Sequence, residues 1–180
     1  MFKAYLHRKI AAMEREFGYD ATYTHEVLDA SLPAFLKFAL FQGMAQHRAG
    51  APREAWYAAK LAGAMSEDCG PCSQLVVDMA LKAGVDTKVL AALIRGDLAR
   101  AGADAALGFR YGQAVATNAP EAQQLSIEAK ARYDERGLVA LALAVAGARV
   151  YPTLKRGLGH GAACQKLVVA DDVIAVRKAA

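Results

Sequence analysis

A chain of 180 residues, 55% hydrophobic and 22% charged with five prolines, has single-domain length and a composition that excludes disorder and low complexity. Its 22 Lys and Arg stand against 18 Asp and Glu, a net charge of +4, but the basic residues are scattered and no nucleic-acid motif accompanies them, so nucleic acid is not an expected partner. Three cysteines are too few for a secreted disulfide scaffold.

The amino terminus, MFKAYLHRKIAAMEREF, is charged throughout and does not read as a secretory signal. A cytoplasmic location is therefore expected. The spacing of Tyr5, Ile10, Met13 and Phe17 predicts a helix over 2–17 that stops at Gly18. A second helix is expected from Ser31 as N-cap, with Pro33 tolerated in its first turn, through FLKFALFQGMAQ to the break at 49–52. Its Phe35, Phe38, Leu40, Phe41 and Met44 spread around the helix, which makes it either largely buried or shared with a partner chain.

Further helices are expected from Pro52 to Met65, from the cysteines to Gly84, from Asp86 or Thr87 to Gly96, and over 103–117, 120–135 and 137–150. The apolar run LVALALAVAGA at 138–148 ends at Arg149, short of the roughly twenty residues a membrane span needs, and reads as a buried helix. From Pro152 onward RGLGHGAA reads as loop, and VVADDVIAVRK fits either a strand or a helix. Almost no stretch alternates as a half-buried strand would, so the expected fold is all-α: one domain over 1–180, a compact bundle of seven to eight helices with an arm at 1–30, a core at 31–151 and a tail at 152–180.

Chemistry concentrates at SEDCGPCSQ. Pro71 suits the first turn of a helix, which puts Cys69 near the N-cap and Cys72 one turn in, with both sulfurs on one face. The positive end of a helix favours a thiolate, the reactive form of cysteine. Three readings stay open on residue type alone: a redox pair, half of a metal site, and two inert buried thiols. For the metal site, His160 and Cys164 have the H-x-x-x-C spacing that would complete a zinc set with Cys69 and Cys72. Glu67 and Asp68 are the nearest acids; Glu67 can cap the helix or tune a thiolate. Cys-Gly-Pro-Cys also occurs in thioredoxin, where a strand precedes it; here a helix precedes it.

Pro52-Arg53-Glu54, then Cys69-Gly70-Pro71-Cys72 opening a helix, then Gly84-Val85-Asp86 before a short helix, occur in the order seen in the alkylhydroperoxidase D-like and carboxymuconolactone decarboxylase family, which the segment APREAWYAAKLAGAMSEDCGPCSQLVVDMALKAGVDTKVLAALIRGD resembles. With looser similarity on either side, the resemblance covers about two thirds of the chain. It implies an all-α fold, a trimer or hexamer, and a thiol peroxidase or disulfide reductase that uses no metal or organic cofactor. It further implies that Cys72 attacks the peroxide and becomes a sulfenic acid, that Cys69 resolves it, and that an external thiol reductant restores the pair. The peroxidase members carry a histidine where this chain has Val76, and a glutamate where it has Tyr57, with Glu54 about one turn earlier. A proton relay would then be rebuilt from Glu67 or be absent. The alternative is a family member without turnover, acting as a binding or structural oligomer.

Overall fold

The computed structural model describes residues 1–161 and 166–176. Among them nine helices and one β-hairpin follow in order: α1 (Phe2–Phe17), α2 (Thr22–Ala30), α3 (Leu32–Ala45), α4 (Arg53–Ser66), α5 (Gly70–Lys82), α6 (Thr87–Arg95), α7 (Leu98–Ala101), α8 (Ala103–Thr117), α9 (Ala122–Gly157), β1 (Lys166–Val169) and β2 (Asp172–Ala175). The protein is a helical bundle, as its composition predicts. Cys164 and the final residues of the expected tail lie outside the described residues.

Alanine builds the centre. In α4 every residue from Ala55 to Ala64 is buried, and α8 and α9 pack along it. The approach is backbone-close: a Cβ at Gly108 of α8 would sit 2.1 Å from the Ala55 carbonyl oxygen, and one at Gly112 would sit 2.6 Å from that of Ala59. Small residues at one-turn spacing let two helices meet at this distance, and the dispersion contacts so gained replace those of larger side chains.

Local signals place the ends of the helices. Ser31 accepts from the Ala34 N–H at 3.3 Å, capping α3. Asp86 accepts from the Lys88 N–H at 2.7 Å, capping α6. After α5, Gly84 takes φ +83, its N–H bonds to Leu81 and that of Val85 to Ala80, a Schellman closure that turns the chain into α6.

One expectation is corrected and two open readings are narrowed. The helices expected at 120–135 and 137–150 are one element, α9, broken at Asp134 (φ 61, ψ −173) and continuing through Pro152 to Gly157. Asp134 recaps the second half by accepting from the N–H groups of Arg136 and Gly137, at 2.7 and 3.0 Å. The tail segment that fitted either strand or helix forms the hairpin, whose Leu167, Val169 and Ile174 insert into the main core of the helical bundle. Gln74 of α5 ties that hairpin down, its amide donating to the Val168 carbonyl at 2.9 Å and accepting from the Val168 N–H at 2.8 Å. Of the two readings of α3, burial within the chain does not hold: Phe35 and Ala45 are buried, whereas Leu36, Leu40 and Met44 face outward, Leu40 at 80% exposure.

By length and composition α9 is apolar and long enough to cross a membrane. Here its Gly137, Ala140, Leu141, Ala144, Val145 and Ala148 are buried, packed on the α4 and α8 core. The arm, α1 and α2, forms a second small core of Ile10, Tyr19, Ala21, Tyr23, Leu28 and Phe35, which Leu75 of α5 and Leu154 of α9 join. His7 and His25 stack across the α1–α2 seam with their Nδ1 atoms 2.6 Å apart. His7 Nε2 faces Asp29 at 3.0 Å and His25 Nε2 faces Glu14 at 3.3 Å, which pins the arm. The seam between the two cores is where the cysteines sit.

Candidate functional site

Asp68, at φ 50, turns the chain between α4 and α5 and delivers Cys69 to the N-cap of α5 in extended conformation (φ −109, ψ 100). Pro71 follows at the second helical position, and Cys72 falls one turn in. Both thiols are reduced and buried, at 3% and 5% exposure. Their sulfurs are hydrogen-bonded at 2.7 Å, so on two-electron oxidation by a substrate they would need to close by only roughly 0.6 Å to be joined as a disulfide.

The two sulfurs have different surroundings. The hydrogen bond from the Cys72 thiol is the largest influence on Cys69; burial opposes it, and the Cys72 N–H with the Lys155 and Arg156 cations assist it. The net effect holds Cys69 at about 6, from an ordinary 9.0. The same hydrogen bond and burial hold the Cys72 proton well above the ordinary thiol range. One proton therefore leaves the pair near neutrality and the other is retained between the sulfurs.

Cys72, and not Cys69, lines a cavity of about 360 Å³ at the seam between the two cores. Its walls are mainly apolar, from Leu6, Ile10, Met13, Phe17, Phe35, Leu75 and Val76 among others. Tyr19 places its hydroxyl 3.7 Å from Cys72 Sγ and 3.5 Å from the Tyr23 hydroxyl. Burial, with Tyr23 and Cys72 adding to it, pushes the Tyr19 hydroxyl far above its ordinary range, so Tyr19 stays protonated and can donate to sulfur. Behind the tyrosines lies buried Lys155, whose Nζ is 4.9 Å from the Tyr19 ring centre and 5.3 Å from that of Tyr23, donating to the Asp20 carbonyl at 3.4 Å. A second hollow, about 520 Å³, runs past Asp68 between α4, α6 and α8 and touches neither cysteine.

Of the residues singled out from sequence, Cys69, Cys72 and Val76 meet at this cavity's wall or directly behind it. Tyr57 is buried in α4 in an edge-to-face contact with Trp56, their ring centres 4.8 Å apart, and Glu54 lies in the first turn of the same helix; neither lines the cavity. Glu67 accepts from Arg149 Nε at 2.7 Å and from Arg156, which also donates to the Glu67 carbonyl at 2.6 Å. Burial works against the Glu67 charge, but the two arginines outweigh it and hold the carboxyl below its ordinary value. Such a group is a fixed anion, a poor proton acceptor. His160 is turned to Glu26 at 2.7 Å, and no group of three His, Cys, Asp or Glu residues able to hold a metal occurs among the described residues. Cys164, the fourth member of the zinc alternative, lies outside them.

Tyr19, Tyr23, Lys60, Lys155 and Arg156 were not legible as site residues. One carried a signal: Lys60 is the lone charge between Glu54 and Glu67, in a helix otherwise built to be buried. No protein-family model, curated protein or solved structure matches this chain.

Proposed function

We propose that the chain is a thiol-dependent oxidoreductase of the alkylhydroperoxidase D-like kind, reducing an apolar hydroperoxide, or in a second use a disulfide, with the Cys69/Cys72 pair. The observation that carries this reading is that Cys72 opens on an apolar cavity while bonded to a low-pKa partner that does not.

The chemistry balances without a metal or organic cofactor. Transfer of the shared proton to Cys69 leaves a thiolate on Cys72, with the Tyr19 hydroxyl positioned to steady it. That thiolate attacks the terminal oxygen of ROOH; the O–O bond breaks, RO⁻ takes the Cys69 proton and leaves as ROH, and Cys72 becomes a sulfenic acid. The Cys69 thiolate then attacks Cys72 Sγ, the S–S bond forms, and hydroxide leaves to become water with a solvent proton. A dithiol or glutathione-type reductant returns both electrons by exchange. Glu67 does not relay protons in this scheme. It fixes Arg156, which with Lys155 supplies positive potential at Cys69. Val76, in the place of the family histidine, leaves the relay to the sulfurs and Tyr19.

The exposed Leu36, Leu40 and Met44 face of α3 supports self-association, as a trimer or hexamer, through a second copy of the chain. The need for an external thiol supports a reducing, cytoplasmic setting, and burial of α9 in the core supports a protein that does not use that helix to cross a membrane.

Reduced protein is to be given one equivalent of cumene hydroperoxide and followed by thiol titration and mass spectrometry. Two thiols should disappear together with formation of a Cys69–Cys72 disulfide, and Cys69→Ser should stop at a dimedone-reactive sulfenic acid on Cys72. Thiols that survive prolonged exposure to the hydroperoxide and to a disulfide would refute the reading and leave the non-catalytic alternative.

A further inference from the structure

The cavity beside Cys72 has a second polar feature that the redox scheme does not use. Lys60 reaches it from α4, in a helix whose neighbours from Ala55 to Ala64 are all buried. Its ammonium donates to the Ala45 carbonyl at 2.9 Å and lies 4.4 Å from the centre of the Trp56 ring. Both partners are neutral, and no carboxylate lies within 4 Å of it among the described residues. Burial alone lowers Lys60 from 10.5 to about 8, so at neutral pH it is still mainly a cation held in an apolar wall. A buried charge of this kind is costly unless an opposite charge meets it.

Two amide side chains, Gln42 in α3 and Gln46 at its C-cap, line the same cavity. Lys9 also lines the cavity but is exposed to water, so one buried cation with two neutral donor groups remains, which matches a monoanion with two acceptor oxygens. A dianion such as phosphate would bring more negative charge than Lys60 neutralises. Apart from Lys9, Thr24 and Cys72 the remaining walls are aliphatic and aromatic, and the volume is in the small-molecule range.

We propose that this cavity binds an amphipathic monocarboxylate, its carboxylate on Lys60 and the two amides, and its apolar body along Leu6, Met13, Phe17, Phe35 and Leu75. The corresponding redox substrate, a carboxylate-bearing hydroperoxide, rests on the oxidoreductase reading; the binding itself does not.

The chain supplies its own reporter, because Trp56 is its one tryptophan and its ring lies under the Lys60 ammonium. Decanoate and the uncharged decanol are titrated against the full chain with both cysteines changed to serine, which silences thiol chemistry, reading Trp56 fluorescence and calorimetry. At pH 7 decanoate should bind at least tenfold more tightly than decanol, and K60M should abolish that preference while still binding decanol. The groups facing the cavity that can titrate are Lys9 on α1, Tyr19 and Tyr23 at and in α2, Lys60, Cys72 and Tyr151. Lys60 is the buried cation among them, so the preference should fall as pH rises above about 8.

Equal affinity for acid and alcohol, a preference that survives in K60M, or no binding of either ligand would each overturn the proposal. The wild-type comparison of acid with alcohol stands even if K60M does not fold. Decanoate binding combined with thiols inert to hydroperoxide would sink the redox reading and leave this one standing; the reverse pattern would sink this one alone.

Discussion

Removing the Cys72 thiol tests the electrostatics of the pair most directly. Cys69 is held at about 6 against an ordinary 9.0, so at pH 7 its thiolate fraction rises from about 1% to about 90%. Reactivity does not rise in proportion. With a Brønsted slope of about 0.4–0.5, a three-unit fall in pKa lowers intrinsic nucleophilicity by roughly 15- to 30-fold, leaving a net gain of only about three- to sixfold. A rate is therefore a weak reporter, and thiolate absorbance at 240 nm against pH is the better assay. Wild type should show one thiol titrating near pH 6. In Cys72→Ala the largest stabilising influence is gone and burial is opposed only by the residue 72 N–H, Lys155 and Arg156, so the Cys69 value should rise by about one unit or more. In Cys69→Ala the remaining Cys72, still buried, should not titrate below the ordinary thiol range. A Cys69 value that stays near 6 in Cys72→Ala would refute the shared-proton account and assign the lowering to the helix terminus and the cations.

The ionised state of Glu67 is favoured in the fold, so its contribution to stability is present above its unfolded value of about 4.5 and is lost as pH falls through the lower folded one; Glu67→Gln should flatten that acid limb in urea titrations between pH 5 and 2.5. Lys60 gives a slope of the same sign in another window, because its folded value is also depressed, here by burial of its charge: the unfolded chain holds the extra proton between pH 8 and 10.5, and stability should rise over that window by up to about 3 kcal/mol. Lys60→Met should lack that slope and be the more stable protein at pH 7, by denaturant midpoint. Leu40→Glu, on the exposed face of α3, should convert the protein to a smaller species by light scattering without lowering monomer helicity; a wild-type protein that is already monomeric would remove α3 as a shared surface.

Much of the fold could be read from punctuation. Ser31, Asp86, Gly84 and Gly96 mark helix ends through local hydrogen bonds and backbone conformation, and local interactions need no knowledge of the rest of the chain. The segment TYTHEVLDA gave no comparable signal: its apolar positions are few and it is held by the arm's own small core, so α2 was invisible. Pro152 was misleading for a physical reason, since a proline ends helices by default and is carried here inside one whose neighbours are packed on the core. The site divided the same way. The cysteines announced themselves by spacing and by the Gly-Pro between them, whereas Tyr19, Lys60 and Lys155 acquire meaning only when elements distant in the chain are brought together. Glu67 shows the limit of proximity in sequence: it is next but one to Cys69, yet its carboxylate is committed to two arginines of α9.

The grip of Gln74 on Val168 has a consequence for solubility. A two-stranded ribbon has two outer edges, each a row of unpaired peptide groups on which another chain can template itself. At Val168 of β1 that row is met by a side-chain amide, which mimics a peptide unit by offering one donor and one acceptor in the places a third strand would occupy. β2 carries the exposed Val173. The helix that carries the cysteines thus also acts as a stop codon for sheet growth, and a chain with Gln74→Ala would be the one to watch for fibres.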